Sequence, residues 1–219
     1  MAGSRILQWE STASYDWAVM QHYGFQDRAT PVLWVRHFVL LKGIGTLLVD
    51  QLESKGEHEY TWLFHLLPCS PIVNDEFKSV YTGFADKNLL LRPAAPQLLT
   101  GPNLTGGTIN QQGRNVEAPV VEYSRRAANV VQAYLLLPVV GKECPVTRFG
   151  QTASSNSITL NLSAGFGIKR VTIIRTPKNG KDQYALSLET TSVGTTSHKS
   201  GTPREALDAV PSATGPKME

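Results

Sequence analysis

Cysteine, long apolar runs and clustered charge are all scarce in this sequence. Of its 219 residues two are cysteine, Cys69 in "PCSP" and Cys144 in "ECPV", and neither belongs to a CxxC pair. A thiolate-held zinc, an iron–sulfur cluster and dithiol redox chemistry are thereby set aside, and the two thiols either pair with each other or stay free. No window approaches the roughly 18 consecutive apolar residues of a membrane-crossing helix. The opening "MAGSRILQWESTASYDW" shows no basic stretch leading into an apolar run, so no secretory leader is visible in it. It enters core-like sequence almost at once, as expected of a fragment, and the compartment is not read from it. Twenty-one basic residues against eighteen acidic ones leave a net charge of +3, and the adjacent basic pairs are Arg125-Arg126 and Lys169-Arg170. So thin an excess argues against a nucleic-acid-binding surface. Glycine-rich phosphate loops, heptads and internal repeats are missing as well.

What the chain does have is β-strand pattern. "PVLWVRHFVLL" and "IGTLLVDQL" flank Lys42-Gly43 and read as a hairpin, and "EHEYTWLFHLL" follows, ended by Pro68. Three such strands in succession predict a meander. The segment from Asp16 to Phe25 suits a short helical turn, an exposed strand or a loop equally. Shorter strands follow in "SVYTGF", "NLLLR" and "PQLLT", then "TGPNLTGGTINQQGRNVEAP" reads as a long loop. "VVEYSRR" and "VVQAYLLLP" are expected to pair. Ile158, Leu160 and Leu162 alternate with polar neighbours, and "IKRVTIIRT" and "QYALSLET" flank the turn pair Asn179-Gly180. After Val193 the sequence is rich in Ser, Thr, Gly and Pro, which predicts a disordered tail over 194–219. The expectation is an all-β chain: a two-layer antiparallel β-sandwich over 1–193, followed by that tail.

Alternation assigns side chains to faces. Trp34, Arg36 and Phe38 share one face of their strand, and His37 lies on the other. His58, Tyr60, Trp62 and Phe64 share a face, with Glu59, Thr61, Leu63 and His65 opposite. His58 and His65 therefore cannot ligate one metal, and no metal site is expected. Arg36 and Asp50 are symmetric about Gly43, which predicts a structural ion pair, since an unpaired buried charge costs several kcal/mol. The sharper alternative makes Arg36 a clamp for a carboxylate or sulfate and His65 an acid–base group. His22 and Tyr23 could form a proton-transfer pair, although neighbours on a strand face opposite ways. Arg125 and Arg126, with Trp9 and Trp17 as stacking platforms, are the candidates for binding an acidic sugar. Trp34 and Trp62 read as sheet-face packing, and His58 as a structural polar residue.

The run from Arg36 to Leu66 also resembles the carboxy-terminal β region of the heparinase II/III-like polysaccharide lyases, which include alginate and oligoalginate lyases. That region has a strand carrying an arginine, then a strand ending in valine–valine–aspartate. After a short turn comes a strand of the form histidine–x–tyrosine–x–x–x–phenylalanine–histidine–leucine. The corresponding positions here are Arg36, Val49-Asp50, and His58, Tyr60, Phe64, His65 and Leu66. The later "APVVEYSRRAANVVQAYLLLPVVG" is similar to the family's closing region, and the resemblance spans roughly residues 5 to 190.

The resemblance implies a parent enzyme with a helical toroid ahead of antiparallel sheets, typically periplasmic or secreted. Such an enzyme cleaves uronate-containing glycans such as glycosaminoglycans or alginate by β-elimination. In the family the catalytic tyrosine and its asparagine or histidine neighbour lie in the toroid, and a further histidine and a zinc-holding set precede the segment resembled here. This chain has no counterpart of those groups, so no cofactor is expected in it. It is expected to be scaffold, or one wall of a cleft for an acidic polysaccharide, without independent activity. The alternatives are a complete but unusual lyase using His22, Tyr23, Arg36 or His65, and a stand-alone module binding acidic carbohydrate. A last alternative is a chain that pairs with a separate toroid.

Overall fold

The computed structural model describes residues 3–141, 145–165 and 167–191. The predicted tail over 194–219 lies outside the described residues, as does Cys144, while Cys69 is a half-buried free thiol.

Strands β1 (Ser4–Ser11), β2 (Tyr15–His22), β3 (Val32–Leu41) and β4 (Gly45–Ser54) pair consecutively. The segment left open between helix, strand and loop is thus the strand β2. Its residues alternate between a buried side, with Trp17 and Val19 at zero exposure, and a side carrying Asp16, Ala18 and Met20. The chain then departs from the predicted meander. β5 (His58–His65) does not pair with β4; it joins β9 (Thr100–Gln111) and β10 (Arg114–Ala127) in a separate three-stranded sheet ordered β5-β10-β9. The three-residue link 55–57 carries the chain across the end of the sandwich.

β6 (Ile72–Asn74), β7 (Ser79–Tyr81), β8 (Lys87–Pro93) and β11 (Val130–Val140) complete an eight-stranded sheet with β1 to β4, ordered β1-β2-β3-β4-β11-β8-β7-β6. A 3-10 turn, Pro96–Leu98, leads into β9. β12 (Val146–Ala153), β13 (Ser157–Ala164), β14 (Gly167–Lys178) and β15 (Lys181–Thr191) form a four-stranded meander.

The segment predicted as a long loop is mostly the β9–β10 hairpin. Gln112 and Gly113 turn it with φ of 52° and 80°, as a two-residue type I′ connection requires. Its Gly, Asn and Gln content fits strands that stay largely exposed. At the base of β9, Gly101 has φ +97°, and a Cβ there would lie 2.5 Å from the Glu122 carbonyl oxygen, where β10 bulges. The predicted pairing of "VVEYSRR" with "VVQAYLLLP" is also replaced: β10 and β11 lie in different sheets, joined across a corner at Ala128-Asn129. Both crossovers sit at one end of the molecule and are tied together there. Ser54 N–H donates to Asn129 Oδ1 at 3.1 Å, and the Tyr60 hydroxyl donates to the Ala128 carbonyl at 3.0 Å.

The all-β antiparallel sandwich expected from alternation is the fold observed. The eight-stranded sheet is shared by two packings, because its central strands are apolar on both faces. Leu47, Val49, Leu90, Leu135 and Leu137 meet Ile158, Leu160, Leu162, Val171 and Ile173 of the four-stranded sheet. Leu48, Leu52, Leu91, Val130 and Tyr134 point the other way, onto Trp62, Val121 and Tyr123 of the three-stranded sheet. Each such side chain, fully covered, contributes about 1.5–3 kcal/mol.

Candidate functional site

Asp50 is fully buried, and its carboxylate accepts four hydrogen bonds. Oδ1 accepts from Trp34 Nε1 at 2.9 Å and from Arg36 Nε at 2.7 Å. Oδ2 accepts from Arg36 Nη2 and from Trp62 Nε1, both at 2.7 Å. The hairpin around Gly43 sets Arg36 directly opposite Asp50, and β5 brings Trp62 down from the other sheet. A carboxylate taken out of water costs several kcal/mol unless donors replace its hydration. Here four N–H donors do so, two of them on a counter-charge. The Arg36 guanidinium lies 4.8 Å from the Trp34 ring and 5.9 Å from the Phe38 ring, and its side chain keeps 28% of its exposure. The predicted Arg36–Asp50 pair is therefore present, and it neutralises the charge that a carboxylate clamp would need.

The partners of Asp50, namely Trp34, Arg36 and Trp62, line a cleft of about 920 Å³ between β3–β4 on one side and β5 on the other. Trp34, Phe38, Tyr60, Trp62 and Phe64 line it, with Phe25 and Arg28 at the rim and His58 and Glu59 along β5. Such a volume is in the range of sites for molecules of one to a few rings. The rings form two groups: Phe25 and Trp34 at 5.8 Å on one side, and on the other Tyr60 to Trp62 at 6.5 Å, Trp62 to Tyr134 at 6.0 Å and Phe64 to Tyr134 at 4.9 Å between centroids. Burial pushes the Tyr60 phenol above its ordinary range. His58 Nε2 is 3.0 Å from Ser54 Oγ, which ties the imidazole to the end of β4 across the 55–57 link. The cleft can stack a flat or ring-shaped apolar surface and offers Arg28, Arg36 and Glu59 at its margin.

The three-stranded sheet is narrower than the sheet it covers, so the outer strands beside the cleft are left open on the same face. Cross-strand partners Trp9, Ala18 and Phe38 run in one row, and Ile6, Met20 and Arg36 in the next. Trp9 is 66% exposed, Ile6 60%, Leu40 42% and Phe38 36%. That amounts to a contiguous apolar patch continuous with the aromatic cleft.

The remaining sequence candidates are dispersed. His65 is exposed on the outer face of β5, turned away from the cleft. Tyr23 donates a long 3.4 Å hydrogen bond to Gln21, and its neighbour His22 accepts from Gly24 N–H and packs on Trp34, so the two form no proton-transfer pair. No hydrogen bond, ion pair or ring contact joins any two of His65, Arg36 and Tyr23. Trp17, expected as a stacking platform, has zero exposure: its place on β2 points it into the core, where it stacks on His37 at 6.1 Å. It cannot meet a ligand. Arg126 is exposed and sits 3.4 Å from Glu57, whereas Arg125 turns inward at the crossover end of the sandwich.

Sequence reasoning missed the roles of Trp62 and Trp34 as donors to Asp50, and with them the cleft. The alternation that puts Trp34 with Arg36, and Tyr60 with Trp62, was a usable signal. What it lacks is the crossover that turns those two faces toward each other. Among the described residues no three His, Cys, Asp or Glu side chains converge as metal ligands.

No family model matches the sequence, and no curated protein sequence matches it. Its fold, however, is similar to those of solved heparan sulfate lyases. The match to heparan sulfate lyase HepC from Pedobacter heparinus has a TM-score of 0.64 at 15% identity, covering 84% of this chain and 28% of that one. A mutant of the same lyase matches with a TM-score of 0.63 at 14% identity, over the same shares. A heparinase III structure matches with a TM-score of 0.59 at 15% identity, covering 84% and 27%. The likeness is one of fold, falls on the carboxy-terminal part of those longer proteins, and leaves nearly three quarters of their length without a counterpart.

Proposed function

We propose that this chain is the β-sandwich part of a heparinase II/III-like polysaccharide lyase, acting as framework and as one wall of a cleft for an acidic, uronate-containing glycan. The observation that carries this reading is the fold likeness over 84% of the chain to a quarter or so of the heparan sulfate lyases, combined with the dispersal of His65, Arg36 and Tyr23. General acid–base catalysis of β-elimination needs proton-transfer groups within hydrogen-bond reach of one substrate carbon and one leaving oxygen. A frame without them leaves several kcal/mol of transition-state stabilisation to be supplied from elsewhere.

The open apolar face bearing Ile6, Trp9, Phe38 and Leu40 is the surface on which a helical toroid would rest, whether in the same chain or a separate one. Four exposed large apolar side chains on two strands of one face support an interface there rather than scattered surface residues. The aromatic cleft beside it supports the glycan-wall role, since sugar rings stack on Trp and Tyr faces while their acidic groups stay at the rim.

Tryptophan emission tests the wall role. Titration of the chain with heparan sulfate oligosaccharides is expected to change the emission saturably, and Trp34→Phe to reduce that change. Emission unaltered at every concentration would remove the cleft from the reading.

A further inference from the structure

At the crossover end of the sandwich lies a second cleft, of about 780 Å³, different in chemistry from the first. Its lining is mixed, with Arg125, Asn129, Gln97, Asn156, Ser155 and Arg175 set among apolar residues such as Leu52, Leu98 and Val131. We propose that this cleft binds an oxyanion, a sulfate or carboxylate group borne by an acidic saccharide, with Arg125 as the charged group that receives it.

The argument begins with the two arginines. Arg175 is fully engaged: it pairs with Glu53 from β4, and its Nη2 is 2.8 Å from Asp182 Oδ2 on β15. Those two carboxylates raise its already high pKa further, so it is a fixed part of the wall. Arg125 has no such partner. It occupies the inward-facing side of β10, two residues beyond the buried Tyr123, with Tyr60 of β5 as its cross-strand neighbour. Its polar contact is a 3.5 Å approach of Nη1 to the Val131 carbonyl, the weak limit of a hydrogen bond. No carboxylate among the described residues forms an ion pair with it, and burial lowers its pKa, offset only in part by the Tyr134 phenol. A guanidinium carries five N–H donors in a planar fork and cannot discard its charge by deprotonation. Half-buried and with most of its donors unmatched by protein acceptors, it has N–H groups to offer an oxyanion.

The neighbours complete the site with donors. Asn129 uses its Oδ1 to accept from Ser54 N–H, which turns its amide NH2 away from that bond as a free donor. Gln151, at the back of the cleft, is satisfied by Ala133 N–H at 2.8 Å and the Val131 carbonyl at 2.7 Å, so it holds the wall in place. Gln97, Ser155 and Asn156 supply further amide and hydroxyl groups around the mouth. Glu53 is the acid in the lining, and it shares Arg175 with Asp182. An arriving oxyanion therefore meets the Arg125 guanidinium and several neutral donors, beside an Arg175 whose charge is shared between Glu53 and Asp182. Leu52 borders both clefts, so this site adjoins the aromatic one.

The saccharide in this proposal rests on the function proposed above; the oxyanion does not, and the test separates them. The full 219-residue chain, labelled at the arginine Nε, is titrated with sodium sulfate, with sodium glucuronate and with a heparin-derived tetrasaccharide. One arginine Nε–H signal, assigned by its loss in Arg125→Gln, is expected to move saturably with each. Arg125→Gln, checked for native fold by circular dichroism, is expected to bind the tetrasaccharide at least about tenfold more weakly, and Arg125→Lys to retain part of the affinity. The Arg125 signal failing to move with any of the three would overturn the proposal, as would undiminished binding by Arg125→Gln. Movement with inorganic sulfate alone would overturn the saccharide assignment. Glycan cleavage by the isolated chain would instead defeat the framework reading and leave the Arg125 result standing.

Discussion

Trp62 on β5 donates its indole N–H to Asp50 on β4 at 2.7 Å, across the gap between two sheets that share no backbone hydrogen bond. This bond joins the Arg36–Asp50 pair, internal to one sheet, to the strand that walls the aromatic cleft. Trp62, which packs in the second core and lines the cleft, is thereby tied to the Asp50 carboxylate.

Replacing Asp50 with asparagine is expected to destabilise the fold by about 3–5 kcal/mol, the cost of leaving one member of a buried pair unpartnered. The amide would also turn an NH2 donor toward Arg36 or an indole N–H. Urea unfolding followed by tryptophan emission measures this, and a loss below about 1 kcal/mol would show that Arg36 finds water instead.

Trp62→Phe keeps most of the ring and removes one donor. A loss of about 1.5–3 kcal/mol is expected, typical of a hydrogen bond to a charged group plus a small cavity. In the Asp50→Asn background the same substitution should cost distinctly less, because the acceptor has already changed. Strict additivity in this cycle would mean that the bond contributes nothing.

His37 supplies a pH dependence of known sign. It is fully buried between Trp17 and Tyr184, with Nε2 2.9 Å from the acceptor Gln51 Oε1, so that nitrogen carries the proton. Burial pulls its pKa from 6.5 down to about 4, against the raising influence of Gln51 and of Asp50. Between those values the unfolded chain binds a proton that the folded chain refuses. Stability is therefore undiminished by this group above pH 6.5 and falls as pH drops toward 4, by up to about 3 kcal/mol. His37→Gln should lose this component. Denaturation of both proteins from pH 4 to 7 checks it, and parallel profiles would contradict it.

Two tryptophans predicted alike should behave oppositely. Trp17→Ala empties part of the first core and is expected to cost about 3–5 kcal/mol. Trp9→Ala, on the open face, should leave stability within about 0.5 kcal/mol of the parent. If the open face seats a helical toroid as proposed, the Trp9 variant should bind the toroid of a heparan sulfate lyase more weakly than the parent chain, measured by sedimentation.

Local pattern carried much of the fold. Gly43 as the midpoint of Arg36 and Asp50 fixed the β3–β4 register, and Asn179-Gly180, at φ 51° and 72°, fixed that of β14–β15. The β9–β10 hairpin escaped because its residues are polar on both faces, so exposure erased the alternation that marks a half-buried strand. Sheet membership escaped for a different reason. Nothing in Ser54–His58 or in Ala128-Asn129 records that the chain changes layer there, since a strand's partner is a non-local choice. The cleft and the Asp50 node follow from that choice. The ion pair was readable from spacing, but the two indoles that complete it were not.

The framework reading is tested most directly by incubating the pure chain with heparan sulfate, heparin and alginate and following the ultraviolet absorbance of unsaturated uronate. Absorbance should stay at the level of a no-protein control. A steady rise that is lost in His65→Ala or Tyr23→Phe, with both variants folded, would contradict it.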